Sequence, residues 1–504
     1  MKMLYHSTRG KDLQIPSMEV IKQGTAPDGG LYIPYKIPEL SVVELKEMKG
    51  MTYHERVVRI LSLFLTDYPE EDLIDCVHAA YNTNKFTNPE FAPVVKLDEN
   101  LFVLELWHGP TCAFKDMALQ LLPHMLITAL ERTDEESGVV VLVATSGDTG
   151  KAALEGFKDV PGTHVVVFYP NQGVSAIQKI QMITQEGSNV DVIAVEGNFD
   201  SAQSGVKAIF ADESLKRSIE RKGYRLSSAN SINWGRLIPQ VVYYISAWLD
   251  LLKTGEAEED QLIDVVVPTG NFGNILAAYY AKKMGVPIHR LICASNSNNV
   301  LTDFINTGLY NRNRKFYKTI SPSMDILISS NMERLLFDLA DRDFEKVRVW
   351  MEELSLNGYY AIDDYGLNKL RSEFWAGYAD DVQTLQAIRS TYDAYGYLLD
   401  PHTAVGMHVY DQYRRQTGDD HKTILVSTAS PFKFAGDVLR ALLGSVAVTD
   451  TDDIGLLDKL SRVANMPIPP PLANLKDKRV RHKTVCQQSQ MKKILADIFQ
   501  LNGV

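Results

Sequence analysis

The sequence predicts an α/β protein: open, doubly wound, mainly parallel sheets, with an extra region at the N-terminus. Three observations carry this expectation. Apolar, β-branched runs recur from Leu101 onward. Most lead through a short polar or glycine-containing loop into a helical pattern. The 504 residues, 45% hydrophobic and 23% charged, are enough for a large core.

The runs are "GVVVLVA" from Gly138, "THVVVFYP" from Thr163, "VDVIAV" from Val190, "LIDVVVP" from Leu262, "RLICAS" from Arg290 and "TILVST" from Thr423. They are continuous rather than alternating, as parallel strands covered on both faces should be. Ligands of such sheets bind beyond the carboxyl ends of the strands. Before these runs, "TAPDGGLYIP" (Thr25 to Pro34) is turn chemistry and "YHERVVRILSLFL" is a helix pattern. Residues 300 to 400 read as mostly helical and charged. "MPIPPPLANL" (Met466 to Leu475) reads as a stiff linker, and the basic "KDKRVRHK" (Lys476 to Lys483) as a solvated face. "LIPQVVYYISAWLDLL" (Leu237 to Leu252) is too short for a membrane span and reads as a buried helix.

Lys and Arg number 52 against 63 Asp and Glu, a formal charge of −11. That balance argues against a general nucleic-acid or membrane-surface binder, and an anionic ligand would need locally concentrated positive charge. Cys76, Cys112, Cys293 and Cys486 form no CxxC pair, so no zinc site or disulfide framework is expected, and a reducing compartment is. The opening "MKMLYHSTRGKDLQIP" has no apolar core of a secretory signal.

Four strand-to-helix loops could hold an anion or a polar substrate. In "PTGNFGN" (Pro268 to Asn274), glycines let backbone N–H groups approach a phosphate, and a following helix adds partial positive charge. No Gly-Lys-Ser/Thr follows, so this is not a nucleotide P-loop. A plain turn is the competing reading. "VATSGDTGKAALEGF" (Val143 to Phe157) offers hydroxyls, amides and Asp148. "SSANSINWGRLIPQ" (Ser227 to Gln240) offers Asn230, Asn233 and Arg236, where arginine suits bidentate anion recognition. "TILVSTASPFKF" places Thr428, Ser430 and Lys433 before a helix, where a cation opposes the dipole unless an anion is bound.

One lysine stands out. Lys115 lies among Trp107, Phe114, Met117 and Leu119. Desolvation lowers a lysine pKa and makes the amine a nucleophile toward carbonyls. Paired with a cradle for a phosphate that stays bound, it suggests pyridoxal 5′-phosphate, with the aldehyde on Lys115 and the phosphate on the Gly270 to Asn274 loop.

Together "STRG" (Ser7 to Gly10), "GTAPDGGLYIP", "HGPTCAFKD", "ATSGDTGKAA", "NSINWGRLIPQ", "PTGNFGN" and "STASPFKF" resemble, in order, the motif series of threonine synthases, from residue 7 to about 434. Length and N-terminal extension resemble the fungal and enterobacterial-type branch. The resemblance implies the tryptophan synthase β-like fold type II of pyridoxal-phosphate enzymes. It also implies an N-terminal domain at 1–98, a catalytic region at 99–450 with a mobile subdomain at about 116–235, and a C-terminal helical tail at 451–504. It implies a carbon–oxygen lyase acting on phosphates: a cytoplasmic monomer or homodimer that converts O-phospho-L-homoserine and water to L-threonine and phosphate.

By matching motifs, Lys115 is the Schiff-base lysine and general base, Gly270, Asn271, Phe272 and Asn274 hold the cofactor phosphate, and Thr428 faces the pyridine nitrogen. Ser146, Asp148, Thr149, Asn230, Asn233, Arg236 and Lys433 are the substrate-binding expectation. Ser430 stands where some relatives carry His, so a role given to that His does not transfer. A phospho-lyase giving 2-oxobutyrate and a catalytically inactive binding protein are the rivals; retention of Lys115 weighs against the second. A neutral hydroxyl at the ring nitrogen, unlike an acid, does not supply a full proton. Thr428→Asp is therefore expected to change the partition between threonine and side products, measured by product analysis; an unchanged partition counts against that role.

Overall fold

Two parallel sheets face each other across the molecule, and the alternation of their strands decides which core each residue joins. The structure is a computed structural model describing residues 2–10, 14–171, 174–448 and 452–501. The expected boundary at 450/451, the chain's last three residues and part of the N-terminal stretch 1–16 lie outside the described residues.

The larger sheet has the strand order Phe374–Tyr378, Ile288–Ser295, Ile263–Pro268, Lys422–Ser427, Leu101–Glu105, Val94–Lys96. All neighbours are parallel except the last pair, which is antiparallel. The smaller sheet runs Thr484–Cys486, Val190–Val195, Thr163–Pro170, Gly138–Ala144, Tyr224–Ser227 and is wholly parallel. Because side chains alternate across a strand, Val139, Val141 and Val143 join the core shared with the N-terminal region, while Val140 and Leu142 join a separate one beneath the helix Phe199–Phe210. Both faces are buried, which is why these strands read as unbroken apolar runs.

The helix Trp234–Thr254 follows directly from the smaller sheet and packs against Gly273–Lys283 of the larger unit. It is buried along nearly its whole length. Asn233 caps its start by accepting the Gly235 N–H at 2.9 Å, and Gly255 ends it in a left-handed turn at φ 76°. The N-terminal helices Tyr53–Phe64 and Ser17–Gln23 also pack on it.

Within the two sheets, five strands escaped the sequence reading: Val94–Lys96, Leu101–Glu105, Tyr224–Ser227, Phe374–Tyr378 and Thr484–Cys486. Tyr224–Ser227 and Thr484–Cys486 are short edge strands with exposed positions, so they lack the two-sided apolar signal. The C-terminal segment is therefore more than a helical tail: it adds a parallel edge strand, and its helix Met491–Ile498 packs on Phe199–Phe210. The proline-rich segment is not a free spacer either. Prolines occupy the first turn of the short helix Pro470–Ala473, where a missing N–H costs nothing, and Leu472 and Leu475 are buried.

Leu495, fully buried under the smaller sheet, carries this attachment. Leu495→Ala is expected to cost about 2–5 kcal/mol, read as a lowered midpoint in urea unfolding.

Candidate active site

The C-terminal strand ends of both sheets line one cleft of about 1490 Å³, with Ala144 and Ser227 on one side and Pro268 and Thr428 on the other. Lys115, Ser146, Thr149, Asn230, Arg236 and the Gly270 to Asn274 loop also line it.

Lys115 sits just before the short helix Asp116–Leu119 and is 8% exposed. Its Nζ lies 3.4 Å from Asp148 Oδ2, 3.5 Å from Ser323 Oγ and 5.2 Å from the Phe114 ring centre. Burial pulls its pKa down to about 8; Asp148 opposes the shift, and the charges of Arg236 and Lys433 reinforce it. The amine is thus held close to a carboxylate yet loses its proton more readily than an exposed lysine. Asp116, next in sequence, points away from this chemistry: it accepts the Thr111 N–H and hydroxyl at 2.8 and 2.7 Å.

The Gly270 loop fits an anion. Phe272 adopts φ 63°, which turns the chain sharply into the helix Gly273–Lys283. Among the described residues, the N–H groups from Gly270 to Asn274 find no acceptor, the first helical bond running from Leu276 to Phe272. A side chain at Gly270 would come within 2.9 Å of the Ser323 carbonyl oxygen, so glycine alone lets the two loops meet. Asn274 accepts the hydroxyls of Tyr243 and Tyr244 on its oxygen, while its buried Nδ2 has no partner. Such an orphaned donor calls for an acceptor in the cleft.

The structure divides the expected substrate residues. Ser146, Thr149, Asn230 and Arg236 face the cleft. Arg236 donates to the Ala229 carbonyl at 2.6 Å, has no carboxylate partner among the described residues, and is pulled down to about 10 by burial. It is a buried cation facing open space. Asn233 is different. Its oxygen caps the helix, and its Nδ2 donates to the Ile21 carbonyl at 3.0 Å, so both polar ends are engaged away from the cleft.

Asp148 and Lys433 are tied to each other behind the cleft wall. Lys433 Nζ lies 2.6 Å from Asp148 Oδ1 and donates to the Thr111 carbonyl at 2.9 Å. Asp148 also receives Gln178 Nε2 at 2.7 Å and the Ser323 hydroxyl at 2.9 Å. Burial opposes its ionisation, but Lys433 and then Lys115 hold its pKa well below the carboxylate range. Ser430 caps the short helix Pro431–Phe434 and is fully buried.

The sequence reading missed Ser323 and His402, both on the cleft. His402 Nε2 accepts the Ser323 N–H at 3.1 Å, so its proton sits on Nδ1, facing Asp400 at 2.8 Å. "DPHT" is a readable helix start with Asp400 as N-cap, but only the fold shows that it abuts the cofactor loop. Ser323 lies in the one-turn 3₁₀ helix Pro322–Met324, flanked by irregular chain, within a region that read as mostly helical.

With this geometry, the fold and site define a pyridoxal-phosphate-dependent enzyme. Residues 80–358 match the family described as pyridoxal-phosphate dependent enzyme. Residues 4–81 match "Threonine synthase N terminus" and 403–495 match "Threonine synthase, C-terminal". The threonine synthase of Pseudomonas aeruginosa is 38% identical over 92% of this chain and 96% of its own. The solved structure of pyridoxal-phosphate-bound threonine synthase from Brucella melitensis superposes with a TM-score of 0.86 at 37% identity, covering 99% of this chain and 100% of that one. The chain belongs to the threonine synthase family. Human "Threonine synthase-like 1" is 44% identical over 84% of this chain, which spans only 58% of that longer protein.

The residues present fit the cofactor: a depressed lysine for its aldehyde, unclaimed amides for its phosphate and an orphaned amide donor for a ring oxygen. Reconstitution of the apo-protein with pyridoxal phosphate, followed by visible absorbance, is expected to speed up with pH and level off above about 8, where Lys115 is neutral. A rate still climbing through the range of an ordinary lysine would contradict the depressed amine.

Proposed function

We propose that the protein is a threonine synthase, converting O-phospho-L-homoserine and water to L-threonine and phosphate. One observation carries this reading. The cleft has two anion-receptive features, the free amides of Gly270 to Asn274 and the uncompensated Arg236, around a single depressed amine. Two phosphates, one of the cofactor and one of the substrate, match that arrangement.

The bound cofactor supplies an electron-accepting ring that withdraws the pair left when a proton leaves the substrate's Cα. Lys115 would remove that proton and then one from Cβ, and later return protons to the carbon chain. The Cγ–O bond breaks, phosphate leaves with its electron pair, and water adds at Cβ. Asp148 at 3.4 Å keeps the Lys115 amine near its working position between these transfers. Arg236 holds the departing phosphate, and Asn230, Ser146 and Thr149 supply neutral donors to the rest of the substrate. Thr428, on the cleft wall, would meet the ring nitrogen as a neutral hydroxyl. The amides of Gly270, Asn271, Phe272 and Asn274 fix the cofactor phosphate.

No described helix is long and apolar enough to cross a membrane. The four cysteines are free and buried, which suits the cytoplasm, and the working unit we propose is a monomer or homodimer.

Incubation with O-phospho-L-homoserine should release phosphate and threonine in equal amounts. Phosphate with 2-oxobutyrate would identify a phospho-lyase, and neither product a binding protein. Arg236→Ala removes one charge-assisted contact, worth about 1.5–3 kcal/mol. It should raise KM roughly 10- to 100-fold while the cofactor absorbance stays intact; an unchanged KM would exclude Arg236 as the phosphate ligand.

A further inference from the structure

A second constellation lies at the opposite, amino end of the larger sheet. Asp264 is on the strand Ile263–Pro268, His289 on Ile288–Ser295, and Asp419 and His421 come just before Lys422–Ser427. These three strands are adjacent in the sheet. One ligand atom from each of the four side chains lies within 4.8 Å of every other. With five residues of strand at about 3.3 Å each between them, the group stands roughly 16 Å from the cofactor loop.

The geometry points to a binding site for a divalent first-row transition ion, zinc foremost, held by His289 Nδ1, His421 Nδ1 and one oxygen each of Asp264 and Asp419. His289 Nδ1 lies 3.1 Å from Asp264 Oδ1 and 3.3 Å from Asp419 Oδ2. Neighbouring ligands of a tetrahedral ion with bonds of about 2.0–2.1 Å sit roughly 3.3 Å apart. A proton on His289 can serve only one of those two oxygens; a cation serves both. His421 Nδ1 is 2.8 Å from Asp419 Oδ1, and the two imidazoles lie against each other with centres 4.4 Å apart.

An independent observation also asks for a cation. The Asp264 side chain is fully buried, yet among the described residues its Oδ2 has no hydrogen-bond partner. An outer layer already orients the ligands: Tyr413 donates its hydroxyl to Asp419 at 2.8 Å, and the Arg290 N–H donates to Asp264 at 2.9 Å. His289 and His421 are about one-third exposed, leaving a path for entry. Imidazole with carboxylate suits zinc, cobalt or nickel rather than magnesium or calcium. Four protein ligands close the coordination shell, so the ion is structural and clamps the starts of three strands.

The test uses the cofactor-loaded, full-length protein after treatment with a chelator. Titrated Co²⁺ should bind once per chain and give the strong visible ligand-field band of tetrahedral cobalt. His289→Ala and His421→Ala should each abolish that band and weaken uptake at least about tenfold, as loss of a ligand does. His421 is partly exposed and outside the cleft, so His421→Ala should keep its cofactor absorbance and basal turnover. Zn²⁺ should raise Tm by about 2 °C or more in the wild type and leave His421→Ala unmoved. Asp264→Asn, which retains the size of the buried side chain, is the second variant and should also lose the band. No stoichiometric uptake by the wild type, a weak octahedral band alone, or uptake that survives both histidine replacements would overturn the site and leave an ordinary Asp–His ion-pair network.

Discussion

One buried carboxylate organises the catalytic wall. Asp148 opens the helix Asp148–Gly156 of the smaller sheet unit, yet its partners come from all sides: Gln178 from the same unit, Ser323 and Lys433 from the larger, and Lys115 between them. An isolated buried carboxylate costs several kcal/mol, and removing one partner of a buried pair costs about 3–5 kcal/mol. The contact with Lys433 at 2.6 Å therefore fixes the loop Thr145 to Thr149 against the larger unit. The loop is pressed in from its other side too. Thr145 Oγ accepts the N–H groups of Gly147 and Gly150, and at φ 143° a side chain on Gly147 would meet Gln178 at 2.5 Å.

The same carboxylate sets the electrical state of the cleft. Lys115, Lys433 and Arg236 bring three positive charges and Asp148 one negative. The excess is positive in a chain of net charge −11. Burial depresses the pKa of Lys115, and the charges of Arg236 and Lys433 add to that shift.

The sequence made some of this legible and hid the rest for identifiable reasons. The strands Gly138–Ala144, Thr163–Pro170 and Val190–Val195 match their apolar runs end to end, because two-sided burial leaves an unmistakable signature. That Lys115 and the Gly270 loop line one cleft was readable from their places at strand-to-helix turns, although either alone also fits a purely structural turn. Asn233 and Lys433 were not, since a polar residue near a site looks the same in sequence whether it faces the cleft or caps a helix behind it. His402 and Ser323 reach the site only through tertiary packing, from segments with no local signal. Thr484–Cys486 stayed hidden because three residues at a sheet edge carry no periodicity.

That last strand bears on how the protein is made. Its partner, Val190–Val195, emerges from the ribosome nearly 290 residues earlier. Throughout that interval the growing polypeptide displays an open, hydrogen-bonding ladder rich in valine and isoleucine, an invitation to mispairing with other nascent chains. Nearly 290 further residues must be made before Thr484–Cys486 can occupy that ladder, and until then the edge is open to other strands.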